Sequence, residues 1–154
     1  MIPFFLQQAL VKELKELFKG YKLYNSKNEF VDINVFSQHL PYRKKEDDKP
    51  PFPYILVCLE EGEIPNDEVH NVQIYLVIGV YDSNENAQGD MEVVNIITTI
   101  YEHLFYKRII DERYEIDYPF KWVLQDEDTF PKFKGGAETN WKLRTMKQKE
   151  DEFI

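Results

Sequence analysis

"YILVCLEEGEIPNDEVHNVQIYLVIGVYD", residues Tyr54 to Asp82, decides the fold. Its first part, Tyr54 to Glu61, is a continuous apolar run of strand length. Its last part, Val69 to Asp82, alternates. Val72, Ile74, Leu76, Ile78 and Val80 share one face, and Gln73, Tyr75, Val77, Gly79 and Tyr81 share the other. Between them, "GEIPNDE" (62–68) gathers turn chemistry in Gly62, Pro65, Asn66 and Asp67. Two strands joined by a longish polar loop make a hairpin.

Downstream, "YDSNENAQGDME" (81–92) leads into an expected helix from Asp90 to Lys107. Val93, Ile96, Ile97, Ile100 and Leu104 form its apolar stripe. Asp90 is the expected N-cap, Glu92 suits the positive end of the helix dipole, and Lys107 and Arg108 suit the other end. Three strand signals follow. "YEIDY" (114–118) is short. "FKWVLQDE" (120–127) alternates Phe120, Trp122 and Leu124 against Lys121, Val123 and Gln125. "ETNWKLRTM" (138–146) places Trp141 and Leu143 on one face. "KGG", Lys134 to Gly136, reads as a turn between strands, and the charged end, 146–154, as a frayed tail.

Upstream, Leu6, Leu10, Leu14 and Leu17 predict a helix over 3–19, with Pro3 in its first turn and Gly20 at its end. "FVDINVFSQHL" (30–40) holds one strand, and "PYRKKEDDKPPFP" (41–53) is a loop by its charge and prolines. A hairpin, a helix and further strands give the α+β class. The expectation is one domain over 1–154, with a mainly antiparallel sheet and two helices packed on one face.

Composition bounds the function. A chain of 154 residues, 43% hydrophobic and 15% aromatic, folds around a real core. Ten Tyr and eleven Phe fill that core or extend to a contact surface. A net charge of −9 repels the phosphate backbone and argues against general nucleic-acid binding. The mixed run "RKKEDDK" (43–49), beside Pro50 and Pro51, is a solvated loop rather than a basic groove. The single cysteine, Cys58, permits no intrachain disulfide, fits a reducing compartment, and sits in an apolar run as an inert thiol. No apolar stretch has membrane-spanning length, and the N-terminus lacks the basic region and cleavage site of a signal peptide.

Candidate chemistry fails at specific positions. Asp82, Asn84, Asn86 and Asp90 match positions 1, 3, 5 and 9 of a calcium loop. Ala87 then stands where the glycine belongs, and Val93 where the bidentate glutamate belongs. A phosphate loop needs more glycines than Gly89, and Asp82, Glu85 and Asp90 would repel the anion. His39, His70, His103 and Cys58 are too scattered for a local zinc pair. The acidic runs "DERYEID" and "QDEDTF" lack a nuclease-like Glu-x-Lys on a strand, and no nucleophile elbow is present. No metal or cofactor is expected.

From "PFPYILVCLEEGE" through "VQIYLVIGVYD", "GDMEVVNIITTIYEHL" and "YPFKWVLQDEDTFPKFKGGAETNW", about residues 50 to 145, the chain resembles the small tail-terminator, or tail-completion, proteins of long-tailed bacteriophages and prophages. The landmarks are the Gly79-to-Asp82 strand end with Tyr81, the Gly/Asp helix start at Asp90, Asn95–Ile96, the Pro-aromatic strand carrying Trp122, and Thr139 to Trp141. The resemblance implies a tail-terminator-like fold and a non-enzymatic ring subunit, usually in a hexamer. Such a ring caps the tail tube at the head-proximal end of the virion, after assembly in the bacterial cytoplasm. Its implied partners are further copies of itself, the tail-tube protein and a head-completion or connector protein, with DNA passing through an acidic lumen without being gripped. Exposed polar loops would meet those partners: Arg43, Lys44 and Lys45 in one, and Gly62, Glu63, Asn66 and Asp67 in the other. Deleting Gly62 to Asp67 would spare folding and stop tail joining. Two other readings stay open: a metal-dependent enzyme using the Asp82–Asp90 carboxylates, and a protein-binding adaptor domain of a mobile element.

Overall fold

The computed structural model describes residues 2–42, 50–84, 88–125 and 129–144. In chain order these form α1 (Ile2–Leu17), β1 (Lys22–Tyr24), β2 (Phe30–Asp32), β3 (Asn34–Ser37), β4 (Tyr54–Glu63), β5 (Val69–Tyr81), α2 (Gly89–Lys107), β6 (Ile109–Ile110), β7 (Tyr114–Leu124) and β8 (Lys132–Arg144). β1 and β2 make a separate two-stranded ribbon. The other strands form one six-stranded sheet in the order β3-β4-β5-β8-β7-β6. Every pairing is antiparallel except β3 with β4. The α+β class holds.

The β4–β5 hairpin is the centre of the sheet, as the alternation requires. β5 pairs along its whole length with β8, from Val69↔Arg144 to Tyr81↔Lys132. Its Val72, Ile74, Leu76, Ile78 and Val80 are all buried. They join Leu6, Leu10 and Leu14 of α1 and Val93, Ile96, Ile97, Ile100 and Leu104 of α2 in a single core. Both helices therefore lie on one face of the sheet. Buried polar groups are satisfied there. The Trp141 indole N–H donates to Thr139 Oγ1 at 2.8 Å, and that hydroxyl donates to the Ile74 carbonyl at 2.8 Å.

The opposite face carries no helix among the described residues. Two tyrosines lie flat on it: the Tyr54 ring occupies the space a Cβ at Gly79 would need, and Tyr75 does the same at Gly136. Glycine at these two strand positions lets the rings approach the backbone.

Five local expectations are corrected. The segment expected to hold one strand in 30–40 contains β2 and β3, and β2 pairs with β1, which was not anticipated. Asn25 makes that ribbon's turn by accepting from the Lys27 and Glu29 N–H groups, both at 2.9 Å. "YEIDY" and "FKWVLQDE" are one strand, β7, interrupted by a bulge: Asp117 faces Asn140, but Lys121 faces Glu138. The extra residues sit at Pro119, which cannot donate to a ladder. Gly135 and Gly136 lie inside β8, not in a turn. Gly62 and Glu63 belong to β4, paired with Val72 and Asn71, so the hairpin connection is 64–68. Asp90 is not the N-cap. Gln88 occupies that position without a side-chain capping bond, and Asp90 sits in the first turn, where its charge still favours the helix dipole.

Candidate functional site

The described start of the stretch that mimics a calcium loop, Asp82 to Asn84, is a turn. Asp82 Oδ1 accepts the Asn84 N–H at 2.9 Å, an Asx turn, and the Asp82 N–H donates to the Pro131 carbonyl at 2.9 Å. Asn86 and Ala87 lie outside the described residues. Among the described residues, no three His, Cys, Asp or Glu side chains gather to hold a metal ion.

Other reactive groups have structural partners. His103 Nε2 lies 2.8 Å from Glu13 Oε1, and Lys107 Nζ donates to the same oxygen at 2.6 Å, tying α2 to α1. Burial pushes the Glu13 carboxyl up, but the bonds from Lys107 and His103 outweigh it and hold the group below its ordinary value. Burial, and then the Glu60 charge, push the Cys58 thiol up. Its Sγ donates to the Gln38 carbonyl at 3.4 Å.

Among the described residues lie two clefts of about 340 Å³ each. The first is polar and lies at the hairpin end of the sheet, among Glu61, Glu63, Asn71, Gln73 and Asp117. Lys142 Nζ sits 3.1 Å from Asp117 Oδ2, and its hydrogen bond holds the Asp117 carboxyl below the usual value.

The second is an apolar groove between α2 and β7, lined by Val94, Ile97, Thr98, Tyr101, Phe120 and Trp122. Tyr118, Phe120 and Trp122 continue the face of β7 that begins with Tyr114 and Ile116, and the first two pack against α2. There Phe105 stacks on Tyr118 with ring centres 4.4 Å apart, and Tyr101 packs on Phe105 and Phe120 at 4.9 and 5.2 Å. The Arg108 guanidinium covers the cluster, 5.2 Å from the Phe105 ring and 5.5 Å from Tyr118. Trp122 stands at the rim, 55% exposed. Tyr118 is exposed as well, so two large aromatic side chains stand open to water at this groove.

The expected contact residues distribute unevenly. Arg43, Lys44 and Lys45 lie outside the described residues. Gly62 and Glu63 line the polar cleft. Asn66 organises the 64–68 turn by accepting from the Glu68 and Val69 N–H groups at 2.8 and 3.1 Å, and Asp67 is exposed beside it. Of the landmarks, Gly79, Tyr81 and Trp141 are structural. Gly79 lies beneath Tyr54, Tyr81 packs on Phe52 at 6.2 Å, and Trp141 is in the core. Trp122 alone reaches the groove. Tyr101, Phe105 and Tyr118 escaped sequence reading. The i, i+4 pair Tyr101–Phe105 was visible, but which strand would face it was not.

No protein-family model matches the chain, and no curated protein matches it significantly.

Proposed function

We propose that the chain is a non-enzymatic virion assembly protein, a ring subunit that caps the tail tube of a long-tailed phage or prophage and joins it to the head. The observation that carries the reading is the α2–β7 groove. It offers aromatic surface for a protein partner, while His103, Cys58, Glu13 and Asp82 are engaged in structural contacts. The order of elements and the landmarks from Gly79 to Trp141 support the tail-terminator resemblance. The hairpin end, with Glu60, Glu61, Glu63, Asp67 and Glu68 exposed, is acidic and suits a conduit that must not grip DNA.

The test is tail-tube capping. Purified chain is mixed with polymerising tail-tube protein from the same element and imaged by electron microscopy. Annular caps on tubes of arrested length support the reading. Tubes that grow uncapped at saturating chain refute it. A shift in melting temperature on calcium or magnesium titration would instead favour a metal-dependent enzyme.

A further inference from the structure

We infer that the α2–β7 groove receives the Phe4–Phe5 turn of α1 from a second copy of this chain, so that copies associate head to tail. The inference rests on the ring reading and names the surfaces that would close the ring.

Phe4 and Phe5 are 43% and 47% exposed, with ring centres 6.2 Å apart, at the start of a helix whose other face is fully buried. An exposed phenylalanine pair gains nothing from the core beneath it and is available as an anchor. α1 is fixed over the β3–β4 edge of the sheet, because Gln7 Nε2 donates to the Val57 carbonyl and to Gln38 Oε1. The groove lies at the β7 edge. From β3 to β7 the sheet order crosses four strand spacings, or about 19 Å. Knob and groove are different surfaces of one subunit, and a contact between different surfaces generates rings or filaments rather than two-fold dimers.

Charge favours the same pairing. The exposed charges of α1 are Lys12, Lys15 and Glu16, with Lys19 just beyond its end; they are net positive and continue the stripe that begins at Phe4. Beside the groove, α2 exposes Asp90 one turn before Val94 and Glu102 one turn after Thr98. Of the cations at this end, Lys107 is already bound to Glu13 of its own chain, and the Arg108 guanidinium is held over the Phe105 and Tyr118 rings. A lysine stripe meeting an acidic one steers the two edges together and disfavours groove against groove.

The test uses two variants of the full chain. Phe4→Ser/Phe5→Ser removes the knob at exposed positions. Thr98→Arg, also exposed, fills the groove. Circular dichroism and thermal melting establish that both fold. Light scattering over a concentration series then reads mass. The expected result is wild-type assembly larger than a dimer, weakened in each variant by at least ~30-fold. An equimolar mixture of the two variants should form a heterodimer and stop, since the pair retains one intact knob and one intact groove. A Lys12→Glu chain should associate with a Glu102→Lys chain better than with itself. Wild-type mass in either variant overturns the inference, as does a wild type that stops at a dimer or stays monomeric at high concentration. In those cases the ring reading still stands or falls on tail-tube capping. Variants that self-associate normally but fail to cap tubes would place the tail-tube protein in the groove and also overturn it.

Discussion

Gln7 offers a sharp stability test, because its buried side chain is one half of a polar clasp between α1 and the sheet edge. The residue is 3% exposed. Its Nε2 donates to the Val57 carbonyl at 2.7 Å and to Gln38 Oε1 at 2.9 Å. Gln38 forms the other half. Its own N–H donates to the Val57 carbonyl at 2.9 Å, and its Oε1 accepts the Leu59 N–H at 2.9 Å. Gln7→Leu removes two bonds worth about 1 kcal/mol each, while the leucine recovers part of the loss by burial. Both acceptors keep another donor, so no unsatisfied group is created. The expected loss is about 1 kcal/mol, or roughly 2–4 °C in melting temperature for a chain of this size. Gln38→Ala is worse. It strips the Leu59 N–H of its acceptor and the Leu59 carbonyl of its donor at 3.3 Å, which costs about 2–3 kcal/mol. Gln38 also has φ +67°, so Gln38→Gly should recover about 1 kcal/mol of that. Urea titration of the three variants and the Gln7→Leu/Gln38→Ala double variant reads these values. The double should lose less than the sum, because the two residues share a bond. If Gln7→Leu costs more than Gln38→Ala, or the two losses simply add, the clasp reasoning is wrong.

Three further outcomes follow from particular contacts. Gly79→Ala places a Cβ against the buried Tyr54 ring and should destabilise by about 1–3 kcal/mol in a denaturant melt; an unchanged midpoint would mean the ring swings away freely. Glu13 has a folded-state value below its ordinary 4.5, so its stabilisation is present above that value and fades as pH falls through the folded one. Glu13→Gln should therefore lose about 1 kcal/mol at pH 7, a figure kept low because Lys107 is half exposed, and should show a shallower acid decline below pH 4.5. Replacing the exposed 64–68 turn with a Gly-Ser segment of equal length should change stability by no more than about 1 kcal/mol, while abolishing tail joining in a complementation assay.

The hairpin, the two helices and the fold class were legible because their signals are periodic. Val72 to Val80 repeats every second residue, and Leu6, Leu10 and Leu14 repeat with the helix. What escaped reading depended on partners distant in sequence. β1 and β2 show no buried side chain, so nothing in their apolar pattern marks a ribbon. Gly135–Gly136 carried turn chemistry, yet those glycines serve a strand on which Tyr75 lies flat. Of the contact residues, Trp122 was singled out only as a landmark. Its place at the groove depends on which helix packs beside β7, a partner distant in sequence.

The sheet edges bear on how copies of such a chain could meet. An open edge invites a strand from a neighbour. At one edge, β3 ends at Ser37, and the Gln38 side chain then takes both the N–H and the carbonyl of Leu59, positions that a further strand would need. At the other edge, β6 covers only the first two residues of β7. Beyond them the bulge breaks the register, and Pro119 offers no N–H, while its carbonyl accepts the Asn140 side chain at 2.7 Å. Both edges are thus blunted against ladder formation by the polypeptide itself. Contact between copies would then fall to side chains, and the exposed large apolar ones include Phe4, Phe5, Tyr118 and Trp122. An assembly built on rings of side chains, rather than on a continuous sheet, can stop at a defined size.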